Sequence, residues 1–252
     1  MLKRKSQEVR AEFESRFDFV ERAYTSFDFG TPEFMSVAGI HLGPEEDARW
    51  GGLYRYDQAD IASLKEEIDL QLDGLCWYCR LAPADSLDHI LPQVENPLFA
   101  VHSSNLVPAC TKCNRKKNAR NRNRRDTIYP YGEMEREVRW LFAKIELVEN
   151  KVEVEFTANL LELTNSRTRE MVSRHLDVMG VCEMYSLHFL QAGRTFMVAQ
   201  FGRERGGRQV VDAISAVLPG YQASFGPNYY LSVGMEALSQ CDDLTISAFL
   251  RK

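Results

Sequence analysis

The chain has 252 residues, 44% of them hydrophobic and 27% charged, and a formal net charge of −5. This is the balance of an ordinary globular protein with room for one sizeable core or two smaller ones. No run approaches the roughly 18 uninterrupted apolar residues of a membrane span. The opening Met-Leu-Lys-Arg-Lys-Ser-Gln-Glu has no apolar stretch behind its charges, so the expectation is a cytoplasmic protein with no membrane partner.

In chain order, residues 3–27 predict an amphipathic helix, with Val9, Phe13, Phe17, Val20 and Ala23 at three- and four-residue steps. Residues 29–57, dense in Gly, Pro and aromatics, predict irregular connection. Residues 60–72, with Ile61, Leu64, Ile68 and Leu72, predict a second helix that delivers the chain to Cys76.

Two pairs follow, Cys76-Trp-Tyr-Cys79 and Cys110-Thr-Lys-Cys113. In a reducing compartment such pairs point to metal, not disulfide. Each tight turn aims two sulfurs at one ion, so together they predict a closed, tetrahedral, four-cysteine structural Zn2+ site with no open position for catalysis. Between the pairs, residues 86–92 predict a short strand whose alternation sends Asp88 and His89 to opposite sides. Residues 105–108 predict the returning strand, and a strongly basic helix is expected from Asn114. Residues 112–125 carry Lys112, Arg115, Lys116, Lys117, Arg120, Arg122, Arg124 and Arg125 with no acid among them; taking these eight charges from the net −5 leaves −13 on the remainder. So local a basic segment in an acidic chain points to a polyanion contact at that place. His102, in the loop, is expected at the surface.

Beyond Tyr129-Pro130-Tyr131-Gly132, which predicts a boundary, residues 140–147 and 152–156 predict a β-hairpin turning at Glu149-Asn150-Lys151. Thr164-Asn165-Ser166 offers an N-cap for a long helix through Met171, Leu176 and Met179 that Gly180 interrupts before Met184, Leu187 and Leu190. A short helix over 210–217 is expected to end at Pro219-Gly220. Cys182 and Cys241 stand alone and are expected in the core. The fold class that follows is α+β, in three parts: a helical N-terminal region (1–72), a zinc-clamped ββα unit (73–128) and a mixed C-terminal region (129–252).

The window Cys76-x-x-Cys79, Asp88-His89-Ile90-x-Pro92, Asn105-Leu106 and Cys110-x-x-Cys113-Asn114-x-x-Lys117 resembles the HNH, or ββα-metal, endonucleases in their four-cysteine form. It covers about a fifth of the chain, with Asn114 where many members carry a second histidine. The resemblance implies a nuclease in which His89 is the general base and Asp88 with Asn114 holds a catalytic Mg2+ or Mn2+. It also implies that Asn105 pins the loop that aims His89, and that Lys117, Arg120, Arg122, Arg124 and Arg125 contact DNA phosphates. The chemistry agrees: an imidazole with an ordinary pKa of about 6.5 can accept a water's proton, and oxygen ligands suit hard cations.

The stretch from Tyr129 through residues 180–185 is loosely similar to the C-terminal extension of some prokaryotic HNH proteins encoded beside an ATPase in antiphage defence, which implies a partner-gated effector with 129–252 as its partner-binding part. The alternatives are a non-catalytic zinc module that binds nucleic acid or protein through 112–125, and a ribonuclease using the same centre.

Overall fold

The computed structural model describes residues 7–25, 41–55, 59–71, 73–120, 137–202 and 207–251. The chain divides into two compact units, residues 1–133 and 134–252. It is mixed α+β, and the described residues hold two separate two-stranded sheets.

In the first unit the expected N-terminal helix is two: α1 (Gln7–Ser15) and α2 (Phe17–Thr25). The turn at Arg16 shifts the helical phase. Phe13, Val20 and Ala23 are buried as the periodicity requires, whereas Phe17 is 62% exposed. The Gly/Pro-rich stretch also contains α3 (Pro44–Gly51). Proline at the first helical position loses no hydrogen bond, and Glu45, Glu46 and Asp47 suit the positive end of the helix dipole. Its Trp50 meets Phe13 edge-on at 4.5 Å.

Helix α4 (Ala59–Gln71) leads to β1 (Ser86–His89), which pairs antiparallel with β2 (Leu106–Ala109) in the register Ser86↔Ala109, Leu87↔Pro108, Asp88↔Val107 and His89↔Leu106. Ile68 of α4 packs on Leu87 and Leu106, flanked by Leu64 and Tyr54, so one face of this small sheet is apolar and buried. The chain then enters α5 (Thr111–Arg120), which starts three residues before the expected Asn114 and thereby includes Cys113.

The second unit opens with β3 (Leu141–Val148) and β4 (Lys151–Ala158), paired from Leu141↔Ala158 to Val148↔Lys151. The two-residue turn places Glu149 and Asn150 at φ 49° and 63°, the left-handed pair that matches the twist of a tight hairpin. Asn165 caps α6 (Ser166–Met179), accepting from the amides of Arg167 and Thr168, and Gly180 ends it in the left-handed conformation before α7 (Val181–His188).

A π-helical turn, Phe189–Gly193, joins α7 to α8 (Arg194–Phe201). It delivers Phe189 to a fully buried position stacked 5.4 Å from Phe249. A Cβ on Gly234 would lie 2.3 Å from that ring, so only glycine fits there. Helices α9 (Gly207–Phe225), α10 (Tyr230–Ser239) and α11 (Asp243–Arg251) complete the unit.

Two expectations are corrected here. Helix α9 runs through Pro219 rather than stopping before it, because Pro219 sits on the solvent side, where water can satisfy the carbonyl its missing N–H leaves over. Cys182 and Cys241 are half-buried, not core; the Cys241 thiol donates to the Ile145 carbonyl at 3.4 Å. The expected boundary at Tyr129–Gly132 lies outside the described residues.

Candidate metal and catalytic site

Two local turns build the cysteine cluster. In the first, the Arg80 amide donates to the Cys76 carbonyl at 2.8 Å, and Arg80 adopts φ 52° as the chain folds back. In the second, Cys110 sits just before α5, and the Asn114 amide closes the first helical turn on its carbonyl at 3.0 Å. A further bond, Trp77 N–H to Pro108 O at 2.8 Å, ties the first turn to β2.

The four sulfurs lie within 4.8 Å of one another, and all four residues are buried. Sulfurs around a tetrahedral zinc at about 2.3 Å would stand roughly 3.8 Å apart, so this cluster could hold a metal ion such as zinc. Its electrostatics point the same way. Hydrogen bonds from Cys113 and then Cys76, with the amides of Leu81 and Ala82, hold the Cys79 thiol well below its ordinary value. Cys113, which bonds to Cys76 and Cys79, is pushed far up. Four sulfurs this close cannot all ionise unless a cation sits among them, and the positive end of α5 beside Cys110 and Cys113 favours thiolate.

Asp88 and His89 leave the strand on opposite sides. Asp88 is buried towards α5: its Oδ2 accepts from the Tyr78 hydroxyl and from Lys117 Nζ, each at 2.5 Å. Lys117 also donates to the His89 carbonyl at 2.6 Å. Lys117, expected to contact phosphate, is thus buried, with 5% of its surface exposed. Three residues earlier on the same helix face, Asn114 Nδ2 approaches Ser86 Oγ at 3.4 Å. The seam between β1 and α5 therefore sets Asn114 opposite Ser86 and Lys117 opposite Asp88. The side chain of Arg120, together with Arg122, Arg124 and Arg125, lies outside the described residues.

His89 packs edge-on against Tyr54 at 4.4 Å. Its Nε2 lies 2.8 Å from the Ala100 carbonyl. A carbonyl only accepts, so Nε2 carries the proton and Nδ1 bears the lone pair. Burial lowers the pKa of His89 below the ordinary 6.5, partly offset by the Ala100 bond and by Asp88. At neutral pH it is a neutral base.

The loop that supplies Ala100 is held by Asn105, which is fully buried. Asn105 Oδ1 accepts from the Leu91 amide at 2.7 Å, and Nδ2 donates to Phe99 O at 3.0 Å and Leu91 O at 3.3 Å. One amide thus fastens both ends of the loop between β1 and β2. His102 is a further correction: it is half-buried, 4.4 Å from the Tyr24 ring, and burial lowers its pKa to about 4.

Sequence alone assigns no role to Tyr78 and does not pair Lys117 with Asp88. The spacing held a clue to the pair: Lys117 lies four residues after Cys113 and three after Asn114, so it shares their inward face. Tyr78 gave no such sign, because an aromatic between two cysteines is ordinarily packing.

No family profile, curated protein or solved structure matches this chain.

Proposed function

We propose that the first unit is a metal-dependent HNH-type endonuclease that hydrolyses DNA phosphodiester bonds, its ββα element clamped by a zinc ion on the four cysteines. The observation that carries this reading is the orientation of His89: Nε2–H is committed to Ala100 O, which leaves Nδ1 as a neutral acceptor for a water proton. Asn105 fixes the loop bearing that carbonyl and so acts as a positioning residue. Asp88 supplies a carboxylate at the strand–helix seam, and Asn114 adds an amide two strand positions away, opposite Ser86. This oxygen donor set fits a hard divalent cation better than a soft one. Such a cation, when bound, would neutralise charge growing on the phosphate. The second unit is proposed as the partner-binding part, on the loose likeness of the stretch from Tyr129 to the C-terminal extension of some HNH proteins.

The test is nicking of supercoiled plasmid with Mg2+ or Mn2+. His89→Ala should lower the rate at least about 100-fold, the scale of a lost general base, and chelator should abolish it. Equal nicking by wild type and His89→Ala would refute the assignment. One observation favours a second reading, a non-catalytic zinc module: Asp88 is already neutralised by Lys117. In that case Asp88→Asn and His89→Ala would leave nucleic-acid binding unchanged and no cleavage would be found in any chain.

A further inference from the structure

The Asp88–Lys117 pair is a buried ion pair inside the site, with side-chain exposures of 5% and 6%. Lys117 Nζ sits between two oxygens, Asp88 Oδ2 at 2.5 Å and His89 O at 2.6 Å, while the Tyr78 hydroxyl donates to the same Oδ2. Among the described residues Asp88 Oδ1 carries no hydrogen bond. A carboxylate oxygen and a carbonyl oxygen converging on one point are also what a hard divalent cation seeks. Here that point is taken by an ammonium.

Two physical consequences follow. A doubly charged ion arriving on Asp88 meets a positive charge a few ångströms away, in surroundings that screen it poorly. Without Lys117, by contrast, a buried carboxylate would lose its counter-charge, which a bound cation would restore. The lysine head sits on a flexible four-carbon stem, so its departure from Asp88 is a rotation of side-chain torsions.

We infer that Lys117 is a resident cation that holds Asp88 in the metal-free chain and must leave it before a divalent ion binds. This rests on the metal-dependent reading above and adds a regulatory step to that site. Lys117 is a competitor of the cation, not one of its supports, and it sets how much Mg2+ or Mn2+ the centre needs.

The experiment is titration of Mn2+ into the purified full chain, with free Mn2+ read by electron paramagnetic resonance and melting temperature read in parallel. Wild type is compared with Lys117→Met, Lys117→Arg and the double variant Lys117→Met/Asp88→Asn. Lys117→Met should bind Mn2+ at least tenfold more tightly than wild type. It should melt lower without metal and gain more from Mn2+. Lys117→Arg should bind no more tightly than wild type, and the double variant should lose the gain.

If Lys117→Met does not fold, Lys117→Gln, which keeps a hydrogen bond to Asp88 without the charge, gives the same readout. Affinity in the neutral variants equal to or weaker than wild type, with His89-dependent nicking intact, overturns this inference alone. No Mn2+ binding and no nicking in any chain overturns the metal-dependent reading and the inference together.

Discussion

Replacing Asn105 by alanine removes three hydrogen bonds from a fully buried position and strands the Leu91 amide and the Leu91 carbonyl, whereas the Phe99 carbonyl keeps its bond from the His102 amide at 3.2 Å. A buried polar group left without a partner costs about 1–3 kcal/mol. A water entering the vacated space would recover part of this, so the expected loss for the two stranded groups is about 2–4 kcal/mol of stability.

Asn105→Asp sharpens the test. The aspartate keeps the acceptor for Leu91 N–H but turns two donors into an acceptor-only group facing two carbonyl oxygens. Despite its matching shape it should be no more stable than the alanine variant. The assay is urea denaturation followed by tryptophan fluorescence in a Trp140→Phe background. The chain has three tryptophans, so this leaves Trp50 and Trp77 as reporters of the first unit. A loss below about 1 kcal/mol for alanine, or an aspartate variant clearly more stable than alanine, would refute the claim that this amide fastens the loop by all three bonds.

Metal analysis of the purified chain should find one zinc per molecule, and Cys110→Ser should lose it and lower the melting temperature of the first unit; full zinc content with unchanged melting would contradict the four-cysteine zinc assignment. A pH dependence follows from His102, whose folded pKa of about 4 lies below its unfolded 6.5. Between those values the unfolded chain binds more protons, so stability falls as pH drops from 6.5 towards 4, by about 1–3 kcal/mol in all. His89 is shifted in the same direction by burial, so His102→Phe should reduce the slope measured by urea denaturation from pH 4.5 to 7.5 without abolishing it. An unchanged slope would show that His102 titrates as if exposed.

Much of the secondary structure was legible because it is coded locally. The β3–β4 hairpin follows from alternating apolar residues and a two-residue turn. Helix α6 follows from an Asn165 cap and a Gly180 stop. The equal spacing of the cysteine pairs was enough to gather four thiols at one point, since each turn's geometry depends on four consecutive residues. Local rules misled where solvent or phase decided the outcome: Pro219 survives within α9 because its face is wet, and Phe17 is exposed because a turn at Arg16 resets the helix.

The amino-acid order alone determined which groups crowd the short strand–helix window: four thiols, an imidazole, a carboxylate, two asparagines and a lysine. Only the tertiary structure decided their pairing. Lys117 meets Asp88 because α5 starts at Thr111 and packs on the Asp88 face of β1, a partnership across 29 residues that periodicity cannot register. His89 acquires its fixed tautomer from Ala100, a backbone atom whose position depends on how Asn105 folds the intervening loop. Side-chain type is written in sequence; the direction of a hydrogen bond is set by which distant backbone arrives beside it.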